Sequence, residues 1–94
     1  MESLTKDNLK EVITNNKNVL VQFGAAWCGN CMIVKPKVSE LSKSYSDVLF
    51  IYVDAEEYAE SRDLADIKFL PTFASYQDGS LVGQIGGTNI DKIK

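Results

Sequence analysis

Apolar residues follow two different rhythms along this chain. Leu9, Val12 and Ile13 recur at helical spacing within residues 3–16. Ser, Thr and Asp side chains suited to capping a helix precede them, and Asn15 and Asn16 suit its stop. Val19 to Phe23 is instead a β-rich run, apolar on both faces save for Gln22, as expected of a strand covered on two sides. Helical spacing returns from Cys28 to Tyr45 through Cys31, Val34, Val38 and Leu41, and Pro36 inside it has no N–H for the carbonyl of Met32, which predicts a kink. Leu49 to Val53 reads as a second strand closed by Asp54, and Tyr58 to Ala65 as a short helix carrying Leu64 inward. Phe73 to Gln77 and Leu81 to Ile85 are strands joined by Asp78-Gly79, a two-residue hairpin signal. Gly86 and Gly87 break the chain before a helical stub in which Ile90 and Ile93 stand three apart behind Thr88 or Asn89 as cap.

This order predicts a parallel central strand pair joined by a right-handed crossover, with an antiparallel hairpin beside it, in a three-layer α/β sandwich. At 94 residues the chain has room for one domain, spanning residues 1–94, and its 45% hydrophobic content is that of a protein that folds alone. Ten basic against 13 acidic side chains, net charge -3, with no basic run, argue against nucleic acid or an anionic membrane as partner. No stretch approaches the ~20 apolar residues of a membrane span, and MESLTKDNLK lacks the basic and apolar regions of a secretion signal, so a cytoplasmic location is expected. With no histidine in the chain, Ser-His-Asp triads, His-paired cysteine nucleophiles and most catalytic zinc sites are excluded.

Both cysteines stand three apart in Trp27-Cys28-Gly29-Asn30-Cys31. Spacing alone leaves three readings open: a pair of small buried hydrophobes, half of a zinc site, or a redox pair. Zinc is the weakest, since two thiols without imidazole fall short of four ligands and no metal is expected. Position favours redox chemistry, because the pair lies between a buried strand and the first turn of a helix. Cys28 at that helix N-terminus would face unpaired N–H groups that stabilise a thiolate. Cys31, one turn on, would be near but shielded, as a resolving thiol must be.

The segment from Val19 to Cys31, with Val21-Gln22-Phe23-Gly24-Ala25-Ala26 leading into Trp27-Cys28-Gly29-Asn30-Cys31, resembles the active-site strand and loop of the thioredoxin family. Pro36, Tyr52-Val53-Asp54, Phe69-Leu70-Pro71-Thr72-Phe73, the Asp78-Gly79 turn and Gly87 match further family features in the same order. The resemblance covers nearly the whole chain and implies a thioredoxin fold with a mixed central sheet flanked by helices, shortened at both ends, its first strand at most Glu2 to Thr5. It implies a thiol-disulfide oxidoreductase that reduces protein disulfides with Cys28 and Cys31, without a bound cofactor. The expected partners are disulfide-containing proteins and a thioredoxin-reductase-type electron donor, and the expected state is a monomer. Trp27, Leu70, Pro71 and Gly87 would form the substrate groove, with a cis Leu70-Pro71 bond, and Gly29, Asn30 and Gln22 would support the site.

Several positions depart from the family pattern. Asn30 replaces a proline that stiffens the helix start, and Gln22 replaces a buried aspartate thought to move the proton of the resolving thiol; the lysine that pairs with that aspartate aligns with Phe50. Gly24 replaces a common aromatic, leaving room beside the cysteines. These departures and the short ends suit a rival reading, a thioredoxin-fold interaction module with vestigial cysteines. A third is a dimer bridged by an iron-sulfur centre through Cys28. Glu56, Glu57 and Glu60 read as a solvated helix face rather than a metal or acid-base cluster. Lys35 and Lys37 are assigned no role.

Overall fold

A computed structural model describes residues 1–86; Gly87 and the expected stub with Thr88, Asn89, Ile90 and Ile93 lie outside the described residues. The elements are β1 (Glu2–Ser3), α1 (Leu9–Asn15), β2 (Asn18–Gly24), α2 (Gly29–Ser42), β3 (Leu49–Asp54), α3 (Ala59–Arg62), β4 (Thr72–Gln77) and β5 (Ser80–Gly86). The five strands form one sheet in the order β1-β3-β2-β4-β5. The β1-β3 and β2-β3 pairs are parallel, whereas β2-β4 and β4-β5 are antiparallel, which is the mixed sheet the element order predicts. The hairpin between β4 and β5 turns through Asp78 and Gly79 at φ 52° and 85°. Two successive left-handed residues match the twist of the flanking strands, and Asp and Gly tolerate that conformation best.

Strand alternation sorts the sheet residues into two cores. Val19, Val21 and Phe23 of β2, Ile51 and Val53 of β3 and Ala74 and Tyr76 of β4 pack under Leu9 and Ile13 of α1. On the other face Leu20, Phe50 and Phe73 pack under Val34 and Val38 of α2. The same face carries Gln22 and Tyr52, which are direct partners in the β2-β3 register. Burying Phe23 or Phe73, each among the most enclosed side chains, stabilises the fold by roughly 1.5–3 kcal/mol relative to exposure.

The helices are shorter than the apolar spacing predicts. The helix expected over Cys28 to Tyr45 starts after Cys28, which is its N-cap, and ends at Ser42. Tyr45 is exposed beyond it, so the burial stripe stops at Val38 and a half-buried Leu41. The helix expected over Tyr58 to Ala65 is one turn, Ala59–Arg62, and Leu64 packs from the turn that follows. Glu56 and Glu57 therefore lie in a turn, not on a helix face: Asp54 Oδ1 accepts their backbone N–H groups at 2.9 and 3.1 Å.

Asp7 does not cap α1 as its position suggests; Asn8 is the N-cap and makes no side-chain capping bond. Asp7 instead reaches across the molecule to the start of α3. Its carboxylate accepts the Ser61 N–H at 2.7 Å, the Ser61 hydroxyl at 2.6 Å and the Glu60 N–H at 3.1 Å. Buried Ser61 in turn accepts the Leu9 N–H at 3.1 Å, so one carboxylate ties together the starts of α1 and α3. At the other end of α1 the Asn16 amide donates to the Val12 carbonyl, a stop by direct satisfaction of an orphan acceptor.

The Asp7 carboxyl is held below the usual carboxylate range, chiefly by the Ser61 hydroxyl and also by the two backbone N–H groups, which together outweigh desolvation. A depressed carboxyl pKa stabilises the fold above the unfolded value of about 3.9, and that stabilisation disappears as pH falls through the folded value. Asp7→Ala should therefore melt below the parent at neutral pH, with the gap narrowing as pH drops below about 4. Thermal melts followed by circular dichroism across that range check it; a gap independent of pH would mean the carboxylate charge plays no part.

Candidate functional site

The end of β2 places the cysteines. The Gly24 carbonyl accepts the Ala55 N–H at 2.8 Å and the Ala25 carbonyl accepts the Cys28 N–H at 3.1 Å, so the chain leaves the sheet along a hydrogen-bonded path. Cys28 caps α2 with φ -83° and ψ 103°, and its Sγ accepts the Cys31 N–H at 3.2 Å. A sulfur in that position feels the helix N-terminus directly, which favours its anionic form. Cys28 and Cys31 are joined as a disulfide with Cα atoms 5.3 Å apart. Cys28 retains 6% exposure and Cys31 none. The two sulfurs are thus inequivalent: Cys28 Sγ accepts a backbone N–H and its residue keeps slight exposure, whereas Cys31 is sealed completely.

Gln22 lies beneath the pair, 1% exposed, and donates its Nε2 to the Cys31 carbonyl at 3.2 Å. Its Oε1 has no hydrogen-bond donor among the described residues. Gln22 therefore braces the helix backbone at Cys31 rather than the sulfur itself. The room expected at Gly24 is filled. A Cβ placed there would stand 2.8 Å from the Tyr52 hydroxyl and 3.2 Å from Cys31 Sγ. Lys35, assigned no role from sequence, sits over the Tyr52 ring with Nζ 4.0 Å from its centroid.

Beside the sulfurs Leu70 packs on Ala25, Cys28 and Cys31, and the Leu70-Pro71 bond is cis with Pro71 buried. Trp27 is 67% exposed. Trp27 and Leu70 line one depression of about 180 Å³ with Ile67, Phe69, Glu56 and Arg62. Gly29 and Asn30 are exposed in the first turn of α2. Gly87, the remaining groove residue expected from sequence, lies outside the described residues. A larger depression of about 390 Å³ lies over β4 and β5 and includes neither cysteine.

Two residues escaped the sequence reading. Phe69, 59% exposed beside Trp27, adds a second aromatic to the groove. A large apolar residue just before Leu70-Pro71 was the available signal. Sequence alone gives Tyr52 only as part of a strand ending, although a bulky residue two positions before Asp54, the register partner of Gly24, shares its face and could have suggested that it fills the vacated space.

A family model described as Thioredoxin matches residues 1–94 of the chain. Thioredoxin of Callithrix jacchus is 35% identical over 92 residues, covering 96% of this chain and 88% of the relative. Thioredoxin 1 of Plasmodium falciparum is 39% identical over 83 residues, covering 88% and 80%. A solved Plasmodium falciparum thioredoxin superposes with a TM-score of 0.91 at 34% identity, covering 99% of this chain and 92% of that one.

The enclosure of Gln22 sets an expectation for Gln22→Asp. A carboxyl buried there has its pKa raised, because burial penalises the charged form. The folded state then holds a proton that the unfolded chain releases above about pH 3.9, so stability falls as pH rises towards the raised value. The variant should lose about 2–3 kcal/mol at pH 8, the equivalent of roughly two pKa units, and clearly less at pH 5. Urea unfolding at the two pH values measures this; an equal loss at both would show that water reaches the carboxyl.

Proposed function

The chain belongs to the thioredoxin family, and from that premise we propose that its disulfide oxidoreductase activity runs with Cys28 as attacking and Cys31 as resolving sulfur. The observation that carries the assignment is the inequality of the two sulfurs, one accepting a helix N-terminal N–H in a residue that keeps 6% exposure and the other in a residue with none. The Cys28 thiolate attacks one sulfur of a protein disulfide, forming a Cys28-substrate disulfide and releasing the other substrate sulfur as thiolate. Cys31 then loses its proton and attacks Cys28 Sγ, the substrate leaves as its second thiolate, and the chain retains the Cys28–Cys31 disulfide. Two electrons pass to the substrate, and an electron donor of the thioredoxin-reductase type restores the dithiol.

Substrate is held beside Trp27, Phe69 and Leu70, with the backbone at Leu70 available to an extended segment as an added strand. Pro71 has no N–H to compete for that pairing. Gly87 completes this groove in the proposal, and Gly29 and Asn30 shape the turn between the sulfurs. The chain acts as a monomer and a single domain, in the cytoplasm; no helix among the described residues is long and apolar enough to cross a membrane. A role as a non-catalytic interaction module would use the same groove, but it leaves the capped, adjacent sulfurs without a purpose.

Cys28→Ser should abolish reduction of insulin disulfides by dithiothreitol-charged protein. Cys31→Ser should still attack and accumulate mixed disulfides visible by mass spectrometry, since only resolution is lost. Full turnover by either variant would overturn the assignment. Trp27→Ala and Phe69→Ser should each weaken a protein substrate by about tenfold, the effect of roughly 1.4 kcal/mol of lost aromatic contact, and leave a small disulfide reagent nearly unaffected. Steady-state kinetics on both substrate types test it.

A further inference from the structure

The segment that carries Phe69 into the depression beside Trp27 is stitched to β5. The Gln84 side chain accepts the Asp66 N–H at 2.9 Å and donates to the Asp66 carbonyl. The Phe69 carbonyl accepts the Thr72 hydroxyl at 2.6 Å, and Thr72 is the β4 partner of Gly86 in register. Gln84 and Gly86 stand two apart on β5 and so share a face. One holds the start of the segment through its side chain, and the other meets its end with bare backbone. The Phe69 ring lies against Gly86 so closely that a Cβ there would overlap ring atoms Cε2 and Cζ. The Gly86 backbone is outside the left-handed region, so the ring, and not the chain conformation, requires glycine at this position.

Resting on the reading of Trp27, Phe69 and Leu70 as the substrate groove, we propose that Gly86 is a positioning residue that seats the Phe69 ring there, and that the seated ring selects protein disulfides with an aromatic side chain beside the reacting sulfur. Phe69 is 59% exposed and Trp27 67%, although both line one depression of about 180 Å³. Two aromatic surfaces left open to water at one place favour a flat apolar group that covers both. Charge does not supply the selection, because Arg62 and Lys68 in the same depression are opposed by Glu56, and Asp66 lies 3.7 Å from the Lys68 ammonium. A side chain at position 86 acts on the ring and not on the strand. The overlapping atoms are the far end of Phe69, whose backbone is tied to Thr72 and is followed by the packed Leu70, so the ring turns about its own side-chain bonds to another staggered position. It then no longer stands beside Trp27, and the cysteines are untouched.

The test uses the dithiothreitol-reduced full chain and two disulfide-cyclised peptides that differ only in having Phe or Ala beside both cysteines, with 2-hydroxyethyl disulfide as a small control. Rate constants for reduction are read by acid quenching and mass spectrometry. The parent should favour the Phe peptide by about tenfold, the scale of one aromatic contact. Gly86→Ala should lower that preference to about twofold, as Phe69→Ser does, and reduce the small disulfide at the parent rate. In the Phe69→Ser background Gly86→Ala should change nothing, because the ring it displaces is gone. A loosened strand would lack this signature, since it would slow both backgrounds and the small disulfide as well. A full preference in Gly86→Ala would overturn the positioning role, as would a loss of equal size with and without Phe69. Equal parent rates on the two peptides would overturn the aromatic selection. A parent that reduces neither peptide would instead overturn the oxidoreductase reading, and a preference untouched by Phe69→Ser would remove Phe69 from the groove, which separates the failures.

Discussion

The position of the sulfurs depends on β2 being paired along both edges, parallel to β3 from Val19 to Gly24 and antiparallel to β4 from Asn18 to Phe23. A strand paired on both sides has its backbone groups satisfied along its length and cannot slide without turning its buried side chains to the wrong face. The end of such a strand is a rigid platform. Gly24 and Ala25 extend it by one hydrogen bond each, and Cys28 emerges where α2 begins. Cys28 and Cys31 differ in chemistry because α2 starts there: one residue precedes the first turn and takes its N–H, and the other lies inside that turn, facing the sheet.

The two faces of the sheet divide the work. Under α1 the face is apolar, and its polar contacts serve assembly: Asp7 ties Ser61 and Glu60 at the start of α3, and the Tyr76 hydroxyl donates to the Leu64 carbonyl at 2.9 Å. Under α2 the apolar packing of Leu20, Phe50, Phe73, Val34 and Val38 gives way, towards the sulfurs, to Gln22 and Tyr52. Polar groups buried at that end are costly unless satisfied, and Gln22 Oε1 finds no donor among the described residues. A tolerated cost of this kind beside reacting atoms is usual where function constrains packing.

Much of the molecule was legible in the chain. The near-continuous apolar runs of Val19 to Phe23 and Leu49 to Val53 mark central strands because both faces must be covered, and Asp78-Gly79 marks the hairpin because few residue pairs adopt two left-handed conformations in succession. The Cys28–Cys31 spacing at a strand-to-helix junction points to redox chemistry for local reasons, since a helix N-terminus stabilises a thiolate whatever lies farther away. Helix ends were less legible: the spacing that runs to Tyr45 outlasts burial, since Tyr45 is exposed beyond Ser42, whereas Leu64 and Ala65 still pack on the core but from a turn after α3 ends at Arg62, because packing needs an inward side chain and not a continued helix.

Local sequence, then, determined the strands, the turn and the identity of the reactive pair, because each follows from backbone preferences or from neighbours within a few positions. Tertiary structure alone decided which side chains meet. Asp7 lies at the mouth of α1 yet caps α3, more than fifty positions away; the groove takes Phe69 beside Trp27; and the space vacated at Gly24 goes to Tyr52. These contacts join residues far apart in the chain, and the sheet register that brings them together is fixed only when both cores close at once.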